Sequence, residues 1–292
     1  MNTTHHDEVV AGDRFEFGEN WTRFLRHVDD ERIALATQSL KAMLGVDSLA
    51  GRSFVDIGCG SGLFSLAARR LGASVVSLDF DPKSVACTRE LRRKYMPDES
   101  LWRILEGSVL DEAQVRALGC FDVVYSWGVL HHTGAMWRAL QNVAPLVAPG
   151  GQLFIAIYND QGPQSRRWRA LKHTYCRLPR FLRPVFLWLT MGPRELRYIA
   201  GSLLRLRFGE YVRYRRNYSR QSLRGMTYYR DMVDWIGGYP FEVATPEQIF
   251  EFYRDRGFAL TTLRTCGGGV ACNEFVFRLA ASAAPAGATP GP

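Results

Sequence analysis

Val55-Asp56-Ile57-Gly58-Cys59-Gly60-Ser61-Gly62 is the stretch on which the reading of this chain turns. Ser53–Ile57 is a short apolar run, stopped by glycines at alternate positions, and a helical pattern opens at Leu63. Glycine tolerates the backbone angles of a tight turn and leaves no Cβ between the main chain and a ligand. A strand that runs through such a turn into a helix predicts a nucleotide-type site at the carboxyl end of a sheet. Taken alone the turn is a weak signal, because a tight turn with no ligand looks the same. The surroundings of the turn therefore carry the argument.

Outward from that turn, strand and helix signals alternate. Further strands are predicted at Ser74–Leu78, Trp102–Glu106, Phe121–Ser126 and Gln152–Tyr158, the last entered through Pro149-Gly150-Gly151. Helical patterns lie between them at Leu63–Leu71, Pro82–Tyr95, Asp111–Leu118 and Met136–Val147. Alternation of this kind predicts a parallel sheet with right-handed crossovers. Near the end come a helix at Pro246–Arg256 and two strands, Phe258–Thr265 and Asn273–Leu279, joined by a Gly267-Gly268-Gly269 turn region. So short a link forces those two strands to pair antiparallel. An antiparallel closure distinguishes this sheet from a plain dinucleotide-binding one.

Carboxylates sit where a nucleoside ligand would need them. Asp56 lies two residues before the first glycine, and Asp79 ends the second strand. A carboxylate in the second position can accept two hydrogen bonds from ribose hydroxyls. It could also cap the helix ahead of Pro82, a role for which Asp81 is better placed. Asp111, in Gly107-Ser108-Val109-Leu110-Asp111, has two open readings: a partner for a base amino group, or the cap of the helix it begins. A nicotinamide dinucleotide fits less well. The third glycine of that fingerprint, three residues after the second, is missing, so a helix dipole aimed at a pyrophosphate is poorly matched.

With these segments the chain resembles the class I S-adenosylmethionine-dependent methyltransferases. The carrying motifs are the D-x-G-x-G-x-G turn, Asp79, Gly107–Asp111, and Phe121-Asp122-Val123-Val124-Tyr125-Ser126-Trp127-Gly128-Val129-Leu130-His131-His132-Thr133 followed by Val147-Ala148-Pro149-Gly150-Gly151. Within that superfamily the chain is most similar to the ubiquinone-biosynthesis type of O-methyltransferase. The resemblance is strongest over residues 50–160 and resumes through the final strands. It implies an α/β, Rossmann-like, seven-stranded sheet with the last strand antiparallel, plus a helical insert after strand five. It implies S-adenosylmethionine as methyl donor, with Gly58, Gly60 and Gly62 at the methionine part and Asp56 near its amino group. Asp79 would hold the ribose, Val109 with Leu110 or Asp111 the adenine, and Ser126 and Trp127 would face the sulfonium region. Trp21, in Phe15-Glu16-Phe17-Gly18-Glu19-Asn20-Trp21, resembles residues that cover the donor, although a core contact would explain the aromatics as well.

Methyl transfer from a sulfonium disperses charge, so the protein mainly supplies approach geometry. A phenolic acceptor adds a requirement, because with a pKa of about 10 only about 0.1% is ionised at pH 7. A base in the cleft would offset that. His131 and His132, after strand four, have the right intrinsic pKa, and as neighbours they point differently, so one at most faces the substrate. A glutamate found near here in some ubiquinone-type relatives is absent, which leaves the acceptor open. Asp231 is a further candidate, in Tyr228-Tyr229-Arg230-Asp231-Met232-Val233-Asp234-Trp235, a segment equally readable as packing of the insert onto the sheet.

The expected organisation is a helical cover at 1–50, a donor-binding core at 51–160, a basic aromatic-rich insert acting as acceptor-side lid at 161–245, closing elements at 246–279 and a disordered tail at 280–292. Residues 1 to about 14 read as loose. The net charge of +8 is unevenly placed: residues 161–220 hold fifteen Lys/Arg against two acids, a charge of +13 that leaves −5 for the rest. A solvated structural lid, an anionic membrane surface and nucleic acid all remain open as explanations. Ser126-Trp127-Gly128-Val129 replaces the Asn-Pro-Pro-Tyr type of tetrapeptide, which counts against adenine N6 methylation. The six cysteines form no C-x-x-C pair, so neither a zinc site nor a disulfide framework is expected, and no other metal cluster is visible. The N-terminus lacks the signature of a secretory signal, which makes cytoplasm the default, with peripheral membrane contact as an extension. The expectation for function is O-methylation of a small or lipid-like quinone or phenol. Its alternatives are RNA or protein N-methylation and a non-catalytic donor-binding subunit.

Overall fold

The computed structural model describes residues 4–25, 28–97, 100–221, 228–269 and 271–281. Its strands are β1 (Ser53–Ile57), β2 (Ser74–Asp79), β3 (Trp102–Glu106), β4 (Phe121–Trp127), β5 (Val147–Tyr158), β6 (Phe258–Arg264) and β7 (Cys272–Leu279). They form one seven-stranded sheet in the order β3-β2-β1-β4-β5-β7-β6. The first five pair parallel, while β7 runs antiparallel to both β5 and β6. The order reverses at β1, with β2 on one side and β4 on the other. The carboxyl ends of the strands therefore diverge there and open a crevice.

The helices are α1 (His5–Val10), α2 (Gly18–Phe24), α3 (Asp30–Leu44), α4 (Leu63–Arg70), α5 (Pro82–Tyr95), α6 (Glu112–Arg116) and α7 (Met136–Val143) in the first half. Then come α8 (Pro163–Arg177), α9 (Arg183–Leu204), α10 (Phe208–Gln221), α11 (Tyr228–Gly237) and α12 (Pro246–Arg254). Alternate strand residues point to opposite faces, and each face has its own core. Phe54, Val75, Val123 and Phe154 pack under α3, α4 and α5, whereas Val55, Ile57, Val124 and Ile155 pack with α7 and α12. Burying a side chain of that size contributes roughly 1.5–3 kcal/mol, so the two layers hold the sheet from both sides.

Local chemistry sets the boundaries. Asp81 caps α5 by accepting from the Lys83 N–H, with Pro82 in the first turn. Asp111 lies just outside α6 as its N-cap and accepts from the Gln114 N–H at 3.1 Å. The helix expected over Met136–Val147 ends at Val143 and tightens into a 3₁₀ turn at Ala144–Leu146, because Pro145 has no N–H to continue the ladder. β5 begins at Val147, ahead of the Gly-Gly turn, and a register shift against β4 between Phe121 and Val123 absorbs that turn.

One expectation is corrected at the amino end. Residues 4–14 are ordered: a reciprocal capping box between Thr4 and Asp7 starts α1, and Arg14 reaches the His132 and Thr133 carbonyls at 2.9 and 3.3 Å. The polar composition that suggested a loose end serves capping and long-range hydrogen bonds instead. Most of the expected tail, 282–292, lies outside the described residues. Helices α8–α11 form the insert between β5 and α12, packed around Phe15, Tyr175, Leu187, Met191 and Ile236.

Candidate functional site

A cavity of about 660 Å³ opens at the carboxyl ends of β1, β2 and β4. That is the size of a small-molecule or cofactor site. Of the expected site residues it is lined by Trp21, Asp56, Gly58, Gly60, Asp79, Val109, Leu110, Trp127, His132 and Asp231.

The glycine turn forms its floor. Gly58 has φ +78°, which L side chains rarely adopt, and a Cβ there would overlap the side chain of Val129. The Gly60 N–H donates to Asp79 Oδ2 at 2.8 Å, and the Asp81 N–H donates to Asp79 Oδ1 at 2.9 Å. Two backbone donors thus aim the Asp79 carboxylate at the cavity. Burial outweighs those donors and pushes Asp79 up to about 6. Asp56 is pushed up to about 7, again by burial, and its Oδ2 accepts from Ser65 Oγ at 2.5 Å. Ser65 contacts Ser77 at 2.7 Å, and Trp102 Nε1 donates to Ser77 at 2.8 Å, so Asp56 is tied to a polar chain inside the sheet.

Four of the expected residues do not line the cavity. Gly62 starts α4 at φ +79°, and a Cβ there would lie 2.8 Å from Thr88, so its smallness serves helix packing. Asp111 takes its capping role, with its carboxylate engaged by α6. Ser126 is fully buried, and its Oγ donates to the Ile57 carbonyl at 2.9 Å, tying β4 to the end of β1. His131 is fully buried as well, with its ring 4.1 Å from that of Tyr158 and its Nδ1 accepting from the Tyr158 N–H at 3.4 Å.

His132 takes the other direction. It lines the cavity, and its Nδ1 lies 2.6 Å from the Pro240 carbonyl oxygen. A carbonyl only accepts, so Nδ1 carries the proton and Nε2 is the basic nitrogen of the neutral ring. Phe17 packs against this ring at 5.1 Å and Tyr158 at 5.5 Å.

The wall opposite the glycine turn comes from the insert. Asp231, Asp234 and Trp235 on α11 and Tyr218 on α10 all line the cavity. The spacing of three residues places Asp231 and Asp234 on one face of α11. Tyr218 donates to Asp231 Oδ2 at 2.6 Å, and Asn20 Nδ2 donates to Asp234 Oδ1. Glu274, reaching in from β7, accepts from Trp127 Nε1 at 2.7 Å. Tyr158, Tyr218, Asp234 and Glu274 were not among the expected site residues. Asp234 had a visible signal three residues from Asp231, whereas Tyr218 and Glu274 carry none, being one tyrosine among many and one acid in a closing strand.

The amino-terminal cover forms the roof. Trp21 stands over Gly60, so that a Cβ on Gly60 would lie 3.1 Å from the indole. The Gly18 N–H donates to Asp81 Oδ2 at 2.8 Å and the Phe15 N–H to the Tyr239 carbonyl at 2.8 Å. The cover is therefore fastened both to the β2 turn and to the loop after α11. Among the described residues no group of three His, Cys, Asp or Glu is placed to hold a metal ion.

S-adenosylmethionine fits this enclosure chemically. The cavity offers a carboxylate held by backbone donors, a glycine floor, apolar Val109 and Leu110, and a second carboxylate at Asp56. A methyltransferase-domain family profile matches residues 55–153. A ubiquinone biosynthesis O-methyltransferase of Xanthomonas oryzae is 28% identical over 166 residues, covering 53% of this chain and 67% of the relative. One from Cupriavidus pinatubonensis is 31% identical over 115 residues, covering 39% and 45%. Among solved structures, a magnesium protoporphyrin IX methyltransferase from Synechocystis with bound SAM superposes with a TM-score of 0.53 at 12% identity, covering 96% of this chain and 100% of that one. An O-methyltransferase family protein from Burkholderia thailandensis gives 0.51 at 15% identity, covering 87% and 58%. Sheet order, cavity and matched domain together make this chain a Rossmann-like S-adenosylmethionine-dependent methyltransferase.

Proposed function

We propose that this enzyme methylates an oxygen of a small or lipid-like phenol or quinol, with His132 as the base. The observation that carries the reading is that His132 lines a ring-walled cavity while its Nδ1 donates to the Pro240 carbonyl at 2.6 Å, which makes Nε2 the basic nitrogen of the ring. The similarity to ubiquinone biosynthesis O-methyltransferases supports the acceptor class. Bound S-adenosylmethionine supplies an electrophilic methyl group on a sulfonium. In this reading Asp79 accepts from the ribose hydroxyls, Gly58 and Gly60 let the donor's chain lie against the backbone, and Asp56 receives its ammonium. Val109, Leu110 and Trp127 exclude water from its apolar faces, and Trp21 closes over it.

The chain's remaining contribution is to the acceptor. His132 Nε2 takes the phenolic proton as the oxygen attacks, and its Nδ1–H stays on the Pro240 carbonyl, which stabilises the cation formed on the ring. Phe17, Tyr158 and Trp235 provide flat apolar walls suited to an aromatic acceptor. Asp231, held by Tyr218, accepts from a second hydroxyl and fixes which oxygen faces the methyl.

A second reading has its own observation: Asp231, Asp234 and Glu274 make the acceptor wall rich in carboxylates, which favours a cationic amine. The two separate in one assay series. Donor turnover is measured with catechols and with aryl or alkyl amines, for wild type and His132→Gln. Phenol turnover that falls by roughly 10²- to 10⁴-fold in the variant, with donor affinity unchanged, supports the base. Turnover of amines alone, indifferent to His132, would replace the phenol reading. Donor binding without turnover of any acceptor would favour a non-catalytic subunit.

A further inference from the structure

The acceptor chemistry leaves most of the insert's arginines unexplained, and α9 and α10 bring some of them together. A second cavity of about 650 Å³ lies between these helices, lined by Arg194, Arg197, Arg205 and Arg207 together with Tyr198, Ser202 and Tyr211. One acid, Glu210, joins the lining and pairs with Arg207 at 3.8 Å, both side chains well exposed. Four guanidinium groups around one hollow repel one another unless an anion sits among them. Their planar forks match the oxygens of a phosphate.

The segments that form this hollow also expose apolar side chains. Among the described residues, thirteen of the nineteen large hydrophobic side chains that face solvent lie between Phe181 and Tyr214. Leu204 and Leu206, beside the hollow, are 87% and 95% exposed, and Trp188 and Leu189 extend the apolar surface along α9. A soluble surface rarely gathers so much apolar area without a partner. Charge decides what kind: fifteen basic residues against two acids over 161–220 disfavour a second copy of the same face. A patch that is at once cationic, aromatic and greasy matches a bilayer interface, where arginines meet phosphates and Leu and Trp enter the acyl boundary. Among the described residues no helix is long and apolar enough to cross a membrane, so the contact would lie in the plane of the surface.

We propose that the α9–α10 hollow binds the phosphate of an anionic phospholipid and seats this face of the insert on a bilayer. The geometry ties this seat to the active cavity. The ion pair between Arg215 and buried Glu195, with Tyr228 also donating to Glu195, clamps α10 to α9 and α11. Tyr211 lines the hollow and Tyr218 lines the active cavity, seven residues apart on one helix, or about 10 Å along its axis. A bilayer held at one end of α10 thus lies beside the cavity wall built by the other. The proposal deepens the lipid-like acceptor reading and is tested without any acceptor.

The experiment is flotation of the whole chain with phosphatidylcholine vesicles, with and without phosphatidylglycerol, at rising salt. Wild type is expected on the anionic vesicles alone and released by salt. Arg194, Arg197, Arg205 and Arg207 changed together to Gln are expected to weaken binding by about a hundred-fold or more, at about five-fold per arginine near an anionic surface. A second variant, Leu204→Ser with Leu206→Ser, keeps the charge and is expected to lose binding about ten-fold or more. Calorimetry with S-adenosylmethionine checks that each variant keeps its folded donor site and is independent of the acceptor reading. Wild type that ignores anionic vesicles overturns the proposal, as does a four-arginine variant that binds them normally. Preference for a polyribonucleotide over vesicles, or saturation of the hollow by soluble glycerol phosphate with no vesicle binding, overturns the lipid assignment.

Discussion

The donor side of the molecule, residues 51–160, and the insert, residues 161–245, use charged side chains in opposite ways. On the donor side the charges at the cavity are few, buried and held by close donors: Asp79 by two backbone N–H groups, Asp56 by the Ser65 hydroxyl. In the insert, arginines crowd the surface, and its interior hides a smaller set of polar groups. Glu195 is buried with Arg215, Tyr211 and Tyr228 around it, and Lys172 is fully buried against Trp235 and Phe241. A cleft built from backbone tolerates little change of shape, whereas a lid built from side-chain pairs can be altered piece by piece.

The largest break is expected on the donor side. Gly58→Ala combines a disfavoured backbone angle with overlap onto Val129, and should cost about 3 kcal/mol or more in urea unfolding. Donor binding should go with it. A variant as stable as wild type would show that the turn has room that its geometry denies.

In the insert, the partner of a buried acid should matter and its neighbours should not. Arg215→Gln is expected to cost about 2–3 kcal/mol, because Glu195 is left buried without its countercharge. Arg213→Gln and Arg216→Gln, on the same helix but solvent-facing, should stay within about 0.5 kcal/mol. Equal effects of all three would erase the distinction between the lid's interior and its surface.

Asp79 sharpens the comparison through pH. Asp79→Asn should weaken donor binding by about 1.5–3 kcal/mol at pH 8, read by calorimetry. Burial raises Asp79 from 3.8 to about 6, so wild-type affinity should fall as pH drops through 6, while the variant's profile loses that step. Stability without donor runs the other way. The folded chain holds this proton more tightly than the unfolded one, so the group's contribution is present below pH 3.8 and lost as pH rises through 6. A donor-affinity profile that is flat from pH 5 to 8 in the wild type would remove Asp79 from the ribose.

The smallest effect is expected from the one lysine among the fifteen basic residues of 161–220. Burial lowers Lys172 from 10.5 to about 7. The folded chain therefore binds fewer protons between those values, and stability should rise with pH across that window. Lys172→Met should sit within about 1 kcal/mol of wild type at pH 7, since lost desolvation offsets the lost bond to the Trp235 carbonyl, and it should abolish the rise. Urea unfolding at pH 7 and 9.5 reads both. A rise that persists in the variant would place its origin elsewhere.

The sequence by itself determined the order and type of the elements from Ser53 to Tyr158 and from Pro246 to Leu279. Strand periodicity, glycine stops and caps act within a few residues of one another, so they are legible along the chain. The glycine turn, Asp79 and the antiparallel closure were readable for that reason. What only the tertiary structure decided is which side chains share a space. Gly58 and Asp231 meet across one cavity although 173 residues separate them, and nothing local encodes that meeting. His132 rather than His131 faces the cavity because the Pro240 carbonyl, from the far side of the insert, holds its ring there. Asp111 left the cavity because a capping bond three residues away satisfied it first. Lys172 and Arg215 belong to one basic stretch of sequence, and packing of α8–α11 buried one and paired the other. Burial and pairing are properties of the assembled layers, set when distant segments close on each other, and a charge carries no mark in sequence of which fate it meets.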